Sequence, residues 1–202
     1  MTRFARGPAA RAGLAALAAL VAVAASAPIA PAIAEPEATS WKVTRGTVAP
    51  GAIAGSYLLA SDAAPGRYSV GELISVDEIG LPYRFTVTWR RLGVEAGRSM
   101  HVLVAGGVVL IKAGAINLWA YDDAAFASAA WQPLAGHAAH DQHTVVIDQD
   151  ARAVVVTIDG APAARFPLTV ARARAHVGVG MKAAPGARSK IYLRSLTVAA
   201  GQ

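Results

Sequence analysis

The chain has 202 residues, of which 54% are hydrophobic and 16% charged, with 19 Lys and Arg against 13 Asp and Glu. This composition excludes an intrinsically disordered protein. The chain has no cysteine, which excludes a fold held by disulfides. The basic residues form only two tight groups, Arg90-Arg91 and Arg172-Ala173-Arg174, so no nucleic-acid partner is expected.

Residues 1–34 have the layout of a secretory signal peptide. Three arginines within the first eleven residues precede an apolar run from Ala12 to Ala25, and Ala32-Ile33-Ala34 supplies small residues before the expected cleavage point. The apolar run is short for a bilayer span, so no transmembrane segment is expected in the mature chain. Cleavage leaves 16 Lys and Arg against 13 Asp and Glu, a formal net charge of +3. We therefore expect an exported protein, either periplasmic or secreted.

After a flexible leader at residues 35–40, the remaining chain predicts a single domain at 41–202. It consists almost entirely of short segments with alternating or β-branched residues, separated by Gly and Pro turns. The predicted strands lie at Trp41–Arg45, Ser56–Ala60, Tyr68–Val76, Tyr83–Arg91, His101–Ala105, Val108–Lys112, Ala115–Tyr121, His143–Ile158 (two strands), Arg165–Leu168, Ala175–Lys182 and Ser189–Val198. This pattern predicts an all-β fold, an antiparallel β-sandwich or barrel. Residues 122–130 are predicted as a helical turn or a loop.

The segment from His143 to Gly160 carries the strongest structural signal. Two β-branched runs flank a short polar break, which predicts an antiparallel hairpin. Asp159-Gly160 then predicts a tight turn, because glycine tolerates a positive φ. Pro162 has no N–H to donate, so we expect the chain to leave the sheet there and to rejoin it at Arg165.

Several segments together resemble the concanavalin A-like lectin/glucanase jelly roll, a superfamily that includes laminin-G-type and pentraxin-like domains. They are the alternating strand FTVTWR, the glycine-rich meander ending in LWAYDD, Trp131, the hairpin that ends in VVVTIDG, and the late strands HVGVGMK and SKIYLRSLTV. The resemblance extends over roughly Trp41 to Val198. It implies two curved antiparallel sheets, and in many members a glycan or calcium site on the concave face or the rim loops.

Sugar binding requires an aromatic face for the apolar side of the ring and a few polar groups for its hydroxyls. Alternation along Ala115–Tyr121 places Asn117, Trp119 and Tyr121 on one face and the apolar Ile116 and Leu118 on the other. If the apolar side is core, an amide, an indole and a phenol are displayed to solvent. The alternative is that Trp119 and Tyr121 are buried between the sheets.

Further groups are candidates for the same ligand. Arg84 and Arg90 lie on the polar face of the strand Tyr83–Arg91, where they could donate hydrogen bonds to it. Gly178 and Gly180 could leave room for it, because they have no side chain.

Two groups of residues are candidate metal ligands. Asp122 and Asp123 offer hard oxygen atoms for calcium, and rim calcium is familiar in the resembled family; the alternative is that they cap a helix. His137, His140 and His143 are spaced by three, which on a helix would suit zinc or copper. The surrounding Pro and Gly favour polar loop histidines instead, with His143 at the start of a strand. No cofactor is therefore expected, and calcium at Asp122 and Asp123 is the alternative.

Catalysis has little support. The Glu-x-Asp-x-x-Glu pattern of the resembled glucanases is missing, and Glu72 and Asp77 are five residues apart, which on a strand would direct them to opposite faces. Glu95 stands alone, and no Gly-x-Ser-x-Gly motif is present. We therefore expect an exported, non-catalytic, lectin-like module that binds a glycan or polysaccharide. The alternatives are a glycoside hydrolase of the same fold and a structural envelope or adhesion module without a small ligand.

Overall fold

The computed structural model describes residues 40–54, 56–62, 65–92, 99–121, 130–135, 142–168 and 173–201, with only the backbone at residues 91 and 92. These residues form β1 Trp41–Arg45, β2 Thr47–Pro50, β3 Tyr57–Ala60, β4 Ser69–Ser75, β5 Ile79–Gly80, β6 Tyr83–Leu92, β7 Ser99–Val104, β8 Gly107–Lys112, β9 Ala115–Ala120, β10 Gln132–Pro133, β11 Gln142–Gln149, β12 Ala153–Ile158, β13 Ala161–Pro167, β14 Arg174–Ala175, β15 Gly178–Ala183 and β16 Lys190–Ala200.

No helix occurs within these described ranges, and accordingly none there could cross a bilayer. The predicted signal peptide and most of the leader lie outside them, as do Glu95, Asp122, Asp123, His137 and His140. The proposed domain bounds therefore stay predictions.

Two seven-stranded antiparallel sheets account for most of the strands. The front sheet has the order β1-β4-β15-β7-β8-β9-β10 and the back sheet the order β13-β12-β11-β6-β16-β3-β2, with β14 and β5 as a separate pair. Their apolar faces meet in one hydrophobic core. The predicted antiparallel β-sandwich is confirmed.

Strand β6 shows why the sheets pack face to face. Phe85, Val87 and Trp89 point into the core and are almost completely buried, while Arg84 and Arg90 on the other face are exposed. This is the period-2 alternation expected of a strand with one buried and one hydrated face. Truncation of a buried aromatic side chain such as Trp89 to alanine typically costs about 3–5 kcal/mol, so these side chains are a large part of the stability.

The predicted hairpin is present as β11 and β12, with Asp148 opposite Val155. Asp159 and Gly160 have φ values of 52° and 81°, the pair of positive values that a type I′ turn requires. The expectation for Pro162 was wrong, because the chain stays in the sheet: Pro162 lies in β13 and is paired with Thr157 of β12. Strand β13 is the edge of the back sheet, and an edge strand tolerates a residue without an N–H donor.

The glycine-rich meander β7-β8-β9 forms one side of the front sheet. Its two turns contain Gly106 and Gly114, with φ values of 90° and 72° that residues with a side chain rarely adopt. These tight turns bring β9 alongside β8, with Val108 opposite Trp119. The meander therefore determines where the aromatic end of β9 lies.

Candidate functional site on the front sheet

Strand β9 presents an aromatic and an amide side chain on the outer face of the front sheet. Ile116 and Leu118 are buried in the core, whereas Trp119 is 61% exposed and Asn117 is half-buried. Tyr121, directly after the strand, is 60% exposed, and its N–H donates to the Gly106 carbonyl over 3.0 Å. Trp119 and Tyr121 are therefore not part of the core between the sheets.

A row of residues crosses the same outer face and brings distant segments of the sequence together. Its members are paired in register from strand to strand: Arg45, Glu72, Gly180, His101, Leu110 and Asn117. Because residues opposite one another in a sheet point to the same side, Glu72, His101 and Asn117 share the face of Trp119. His101, near the middle of the row, is only 7% exposed, so its imidazole is buried while Trp119 on the same face is open to solvent.

The His101 imidazole lies directly over Gly180. A Cβ atom at Gly180 would be 2.1 Å from His101 Nε2 and 2.5 Å from the Gly71 carbonyl oxygen, so a side chain does not fit there. At Gly178 a Cβ would be 2.5 Å from the Leu73 carbonyl oxygen. The expectation that the two glycines leave room for a ligand was wrong, because neighbouring atoms already occupy both positions.

His101 Nε2 and Asn117 Oδ1 are buried and have no hydrogen-bond partner among the described residues. His101 Nε2 lies 3.7 Å from Glu72 Oε2, a distance within ion-pair range but too long for a hydrogen bond. A buried polar atom without a partner is costly, and such atoms in native structures often contact water or a ligand. These two atoms therefore make the outer face of the front sheet a candidate ligand-binding surface.

Glu72 is held as a carboxylate. The His101 imidazole beside it lowers the pKa of Glu72 below its ordinary value of 4.5; partial burial acts in the opposite direction, and the hydroxyl of Thr44, which donates to Glu72 Oε1 over 2.6 Å, lowers the pKa further. The pKa of the Tyr121 phenol is raised, first by partial burial and then by the negative charge of Glu72. Tyr121 is thus within electrostatic reach of the row.

All four aromatic side chains that are more than one-third exposed in the described ranges belong to the front sheet or to its margins. They are Tyr68 (56%), Trp119 (61%), Tyr121 (60%) and Trp131 (43%). Tyr68 immediately precedes β4, and Trp131 immediately precedes β10. Two lysines lie against these rings, with Lys182 Nζ 4.0 Å from the centroid of Tyr68 and Lys112 Nζ 3.8 Å from that of Trp131.

The structure does not bring Arg84 and Arg90 to this face. Both lie on the outer face of the back sheet, on the opposite side of the sandwich, because β6 belongs to that sheet. Arg84 is engaged with Asp148, with Nε 2.6 Å from Oδ1 and Nη2 2.9 Å from Oδ2. The prediction that these arginines bind the same ligand as Trp119 is therefore corrected. The error arose because β6 and β9 belong to different sheets, and alternation along a strand does not reveal the sheet to which the strand belongs.

Of the five candidate metal ligands, only His143 lies within the residues that the structure describes. His143 is the second residue of β11, and its Nδ1 is 2.6 Å from Asp159 Oδ2. Within the described ranges no three His, Asp or Glu side chains approach closely enough to hold a metal ion. The calcium hypothesis for Asp122 and Asp123 stays a prediction, since both residues lie outside those ranges, as do His137 and His140.

Carboxylates are scarce on the front sheet. Glu72 is the one Asp or Glu within the sequences of its seven strands, all of which the structure describes. Asp77 and Glu78 are exposed and lie beyond the end of β4. The described part of the front sheet thus offers a single carboxylate next to the exposed aromatics.

Sequence reasoning missed His101 and Thr44 and considered Glu72 only as half of an acidic pair. The alternation in β4 and β7 indicates that Glu72 and His101 point away from the core, which was an available signal. Their proximity, however, depends on β15 lying between β4 and β7. Strand β15 is far along the chain from both, so local patterns do not predict this arrangement.

Comparison with known proteins identifies the fold. No family model matches the chain, and no curated protein matches its sequence. Among solved structures, one from work on endo-acting O-glycanases with which members of the human gut microbiota initiate mucin breakdown superposes with a TM-score of 0.59 at 9% identity, covering 85% of this chain and 96% of that one. The carbohydrate-binding module CBM66 from Bacillus subtilis gives 0.55 at 8% identity, covering 80% and 96%. The β-glucanase of Bacillus licheniformis gives 0.58 at 12% identity, covering 84% and 96%.

At these identities the likeness establishes the fold alone. The chain has the jelly-roll fold of the concanavalin A-like lectins and glucanases, and the resemblance inferred from the sequence is confirmed at that level.

Proposed function

We propose that this protein is a non-catalytic, lectin-like module that binds a glycan on the outer face of the front sheet. The observation that carries the proposal is an exposed indole, Trp119, on the same face as two buried polar atoms, His101 Nε2 and Asn117 Oδ1, which have no hydrogen-bond partner among the residues that the structure describes. A sugar ring would stack its apolar face on the indole, as aromatic platforms favour. Its hydroxyls, which both donate and accept, would satisfy the two polar atoms.

The neighbouring groups fit the same ligand. Tyr121 offers a second exposed ring, and Glu72, as a carboxylate, accepts hydrogen bonds from hydroxyl groups. The names of the similar structures, a carbohydrate-binding module, a β-glucanase and O-glycanases, support a carbohydrate ligand. Residues 1–34 support export to the periplasm or the medium, where polysaccharides are accessible.

Binding is favoured over hydrolysis by the state of Glu72. Glycoside hydrolysis needs two carboxyl groups across the scissile bond, one of which serves as an acid with a raised pKa. Glu72 is the one residue with a carboxyl group in the front-sheet strands, and its pKa is lowered, so it does not suit the role of the acid. A purely structural module would have no need for an exposed indole beside two buried polar atoms that no described residue pairs with.

The test is a glycan-array screen of the protein as exported by an expressing host, in calcium and in chelator, together with the variants Trp119→Ala and Asn117→Ala. We expect Trp119→Ala to weaken binding by roughly 10- to 100-fold, corresponding to about 1.4–2.8 kcal/mol. Its melting temperature should be unchanged, because the side chain is mostly exposed. Loss of binding in chelator would add calcium to the site.

A matched control is Arg90→Ala, which removes an exposed side chain from the back sheet and should leave binding intact. Absence of glycan binding in both buffers, or equal binding by wild type and Trp119→Ala, would contradict the proposal. Release of reducing sugar from a bound glycan would instead favour the hydrolase alternative.

A further inference from the structure

Two lysines on the front sheet are held over exposed aromatic rings. Lys182 Nζ is 4.0 Å from the Tyr68 ring centroid, and Lys112 Nζ is 3.8 Å from the Trp131 ring centroid. Attraction between an ammonium group and the face of an aromatic ring positions each cation without neutralising its charge. Each pair thus combines a positive charge with an aromatic surface.

The two pairs lie on one row of the outer face. Lys182 of β15 is opposite Ser99 of β7. On the other side of β7, Met100 is opposite Ile111 of β8, so the next residue along each strand places Ser99 opposite Lys112. Strands β15 and β8 are separated by β7, so the two lysine backbones are roughly 10 Å apart, which is two strand spacings. A single carboxylate or sulfate group is too small to bridge that distance.

The charge of the front sheet is unbalanced. Its strands contain four Lys or Arg residues, namely Lys42, Arg45, Lys112 and Lys182, and one acid, Glu72. Glu72 already interacts with Thr44 and His101. In the part of the chain that the structure describes, no carboxylate lies within ion-pair distance of Lys112 or Lys182. Their charges are therefore available to a ligand.

We propose that the ligand of the front sheet is a polyanionic polysaccharide, a sugar chain that bears repeated carboxylate or sulfate groups. This inference rests on the proposed glycan-binding function and specifies the class of glycan. Lys112 and Lys182 pair with anionic groups on separate sugars of one chain, while Trp119 stacks on a ring of the same chain. Two separated cations on one face, which no described carboxylate neutralises, together with exposed aromatics favour such a polymer over a neutral glycan or a small anion.

The first experiment compares charged and neutral forms of the same backbone. Polygalacturonate and its fully methyl-esterified form test the carboxylate, and dextran sulfate and dextran test the sulfate; inorganic polyphosphate carries repeated charge without sugar. We expect at least one acidic polysaccharide to bind at least tenfold more tightly than its neutral counterpart and than polyphosphate, with affinity falling as salt rises from 50 to 500 mM. Equal binding of the charged and neutral forms, or equal binding of polyphosphate, would overturn the proposal.

The second experiment removes the two charges with Lys112→Gln/Lys182→Gln. We expect this double variant to lose at least tenfold in affinity for the acidic polysaccharide and most of its salt dependence. The control Arg90→Gln/Arg194→Gln removes two exposed cations from the back sheet and should bind as wild type does. Equal losses in both double variants would indicate attraction by net charge and would overturn the assignment to Lys112 and Lys182.

The outcomes also separate this inference from the proposed function. If neutral glycans bind and Trp119→Ala abolishes that binding, while the lysine variant has no effect, the proposed function stands and the polyanion inference fails. If acidic polysaccharides bind equally well to wild type and Trp119→Ala, stacking on Trp119 fails instead.

Discussion

The side-chain amide of Gln149 forms a pair of hydrogen bonds with the backbone of Ala105. Gln149 Oε1 accepts from the Ala105 N–H, and Gln149 Nε2 donates to the Ala105 carbonyl, both over 2.9 Å. The Tyr83 hydroxyl also donates to Gln149 Oε1. Gln149 and Tyr83 belong to the back sheet, whereas Ala105 begins the turn after β7 in the front sheet. A buried polar group thus joins the two sheets beside the meander that carries Trp119.

Gln149→Leu should destabilise the fold by about 2–5 kcal/mol. The substitution keeps the size of the side chain but removes the donor to the buried Ala105 carbonyl and the acceptor of the buried Tyr83 hydroxyl, at about 1–3 kcal/mol each. The Ala105 N–H keeps only its longer contact with the Tyr83 hydroxyl oxygen, at 3.3 Å. Urea unfolding followed by tryptophan fluorescence measures the loss. The control Gln142→Leu makes the same change at an exposed position of β11 and should cost little. Similar midpoints for the two variants would contradict a structural role for the Gln149–Ala105 pair.

Gly180→Ala should destabilise the protein by about 1–3 kcal/mol, the usual range for overpacking. The new methyl group would meet His101 Nε2 at 2.1 Å and the Gly71 carbonyl oxygen at 2.5 Å, and a backbone oxygen cannot rotate away. The same shift displaces His101, so glycan affinity should fall as well. Thermal unfolding and binding measure the two effects.

Gly80→Ala is the matched control, because a Cβ atom there meets nothing within 4 Å and its φ lies outside the positive range. It should have wild-type stability. A Gly180→Ala protein as stable as Gly80→Ala would show that the imidazole does not occupy the space over Gly180.

Glu72→Gln should make stability less dependent on pH below about 4.5. The pKa of Glu72 is lower in the folded protein than its ordinary value of 4.5. The unfolded state therefore binds the proton more readily, so the carboxylate stabilises the fold above pH 4.5, and this contribution is lost as the pH falls through the lower folded-state pKa. The melting temperature of wild type should decline more steeply on acidification than that of the variant.

Melting curves between pH 3 and pH 7 check this, with Glu78→Gln as the control at an exposed carboxyl group after β4. If the Glu72→Gln and wild-type curves remain parallel throughout, the interaction of Glu72 with His101 and Thr44 contributes nothing to stability.

Much of the fold was predictable because the information is local. A strand with one buried face has a period of two, and YRFTVTWR at residues 83–90 shows that period, so β6 and its core face followed from the sequence. Asp159-Gly160 is a local turn signal and forms the predicted turn. Pro162 shows the limit of such signals, because its effect depended on whether β13 is an edge or a central strand, and no pattern within the segment specifies that position.

The sequence by itself determined the all-β class, most strands and the grouping of Asn117 and Trp119 on one face of β9, since each depends on neighbours a few residues away. The tertiary structure decided that this face is exposed and not buried between the sheets. The tertiary structure decided that Arg84 and Arg90 lie on the opposite side of the sandwich from Trp119. It also decided that Glu72, His101 and Lys182 share a face with Lys112. The physical reason is that strand order and register are set by long-range packing of the whole core, which joins segments that are distant in the chain.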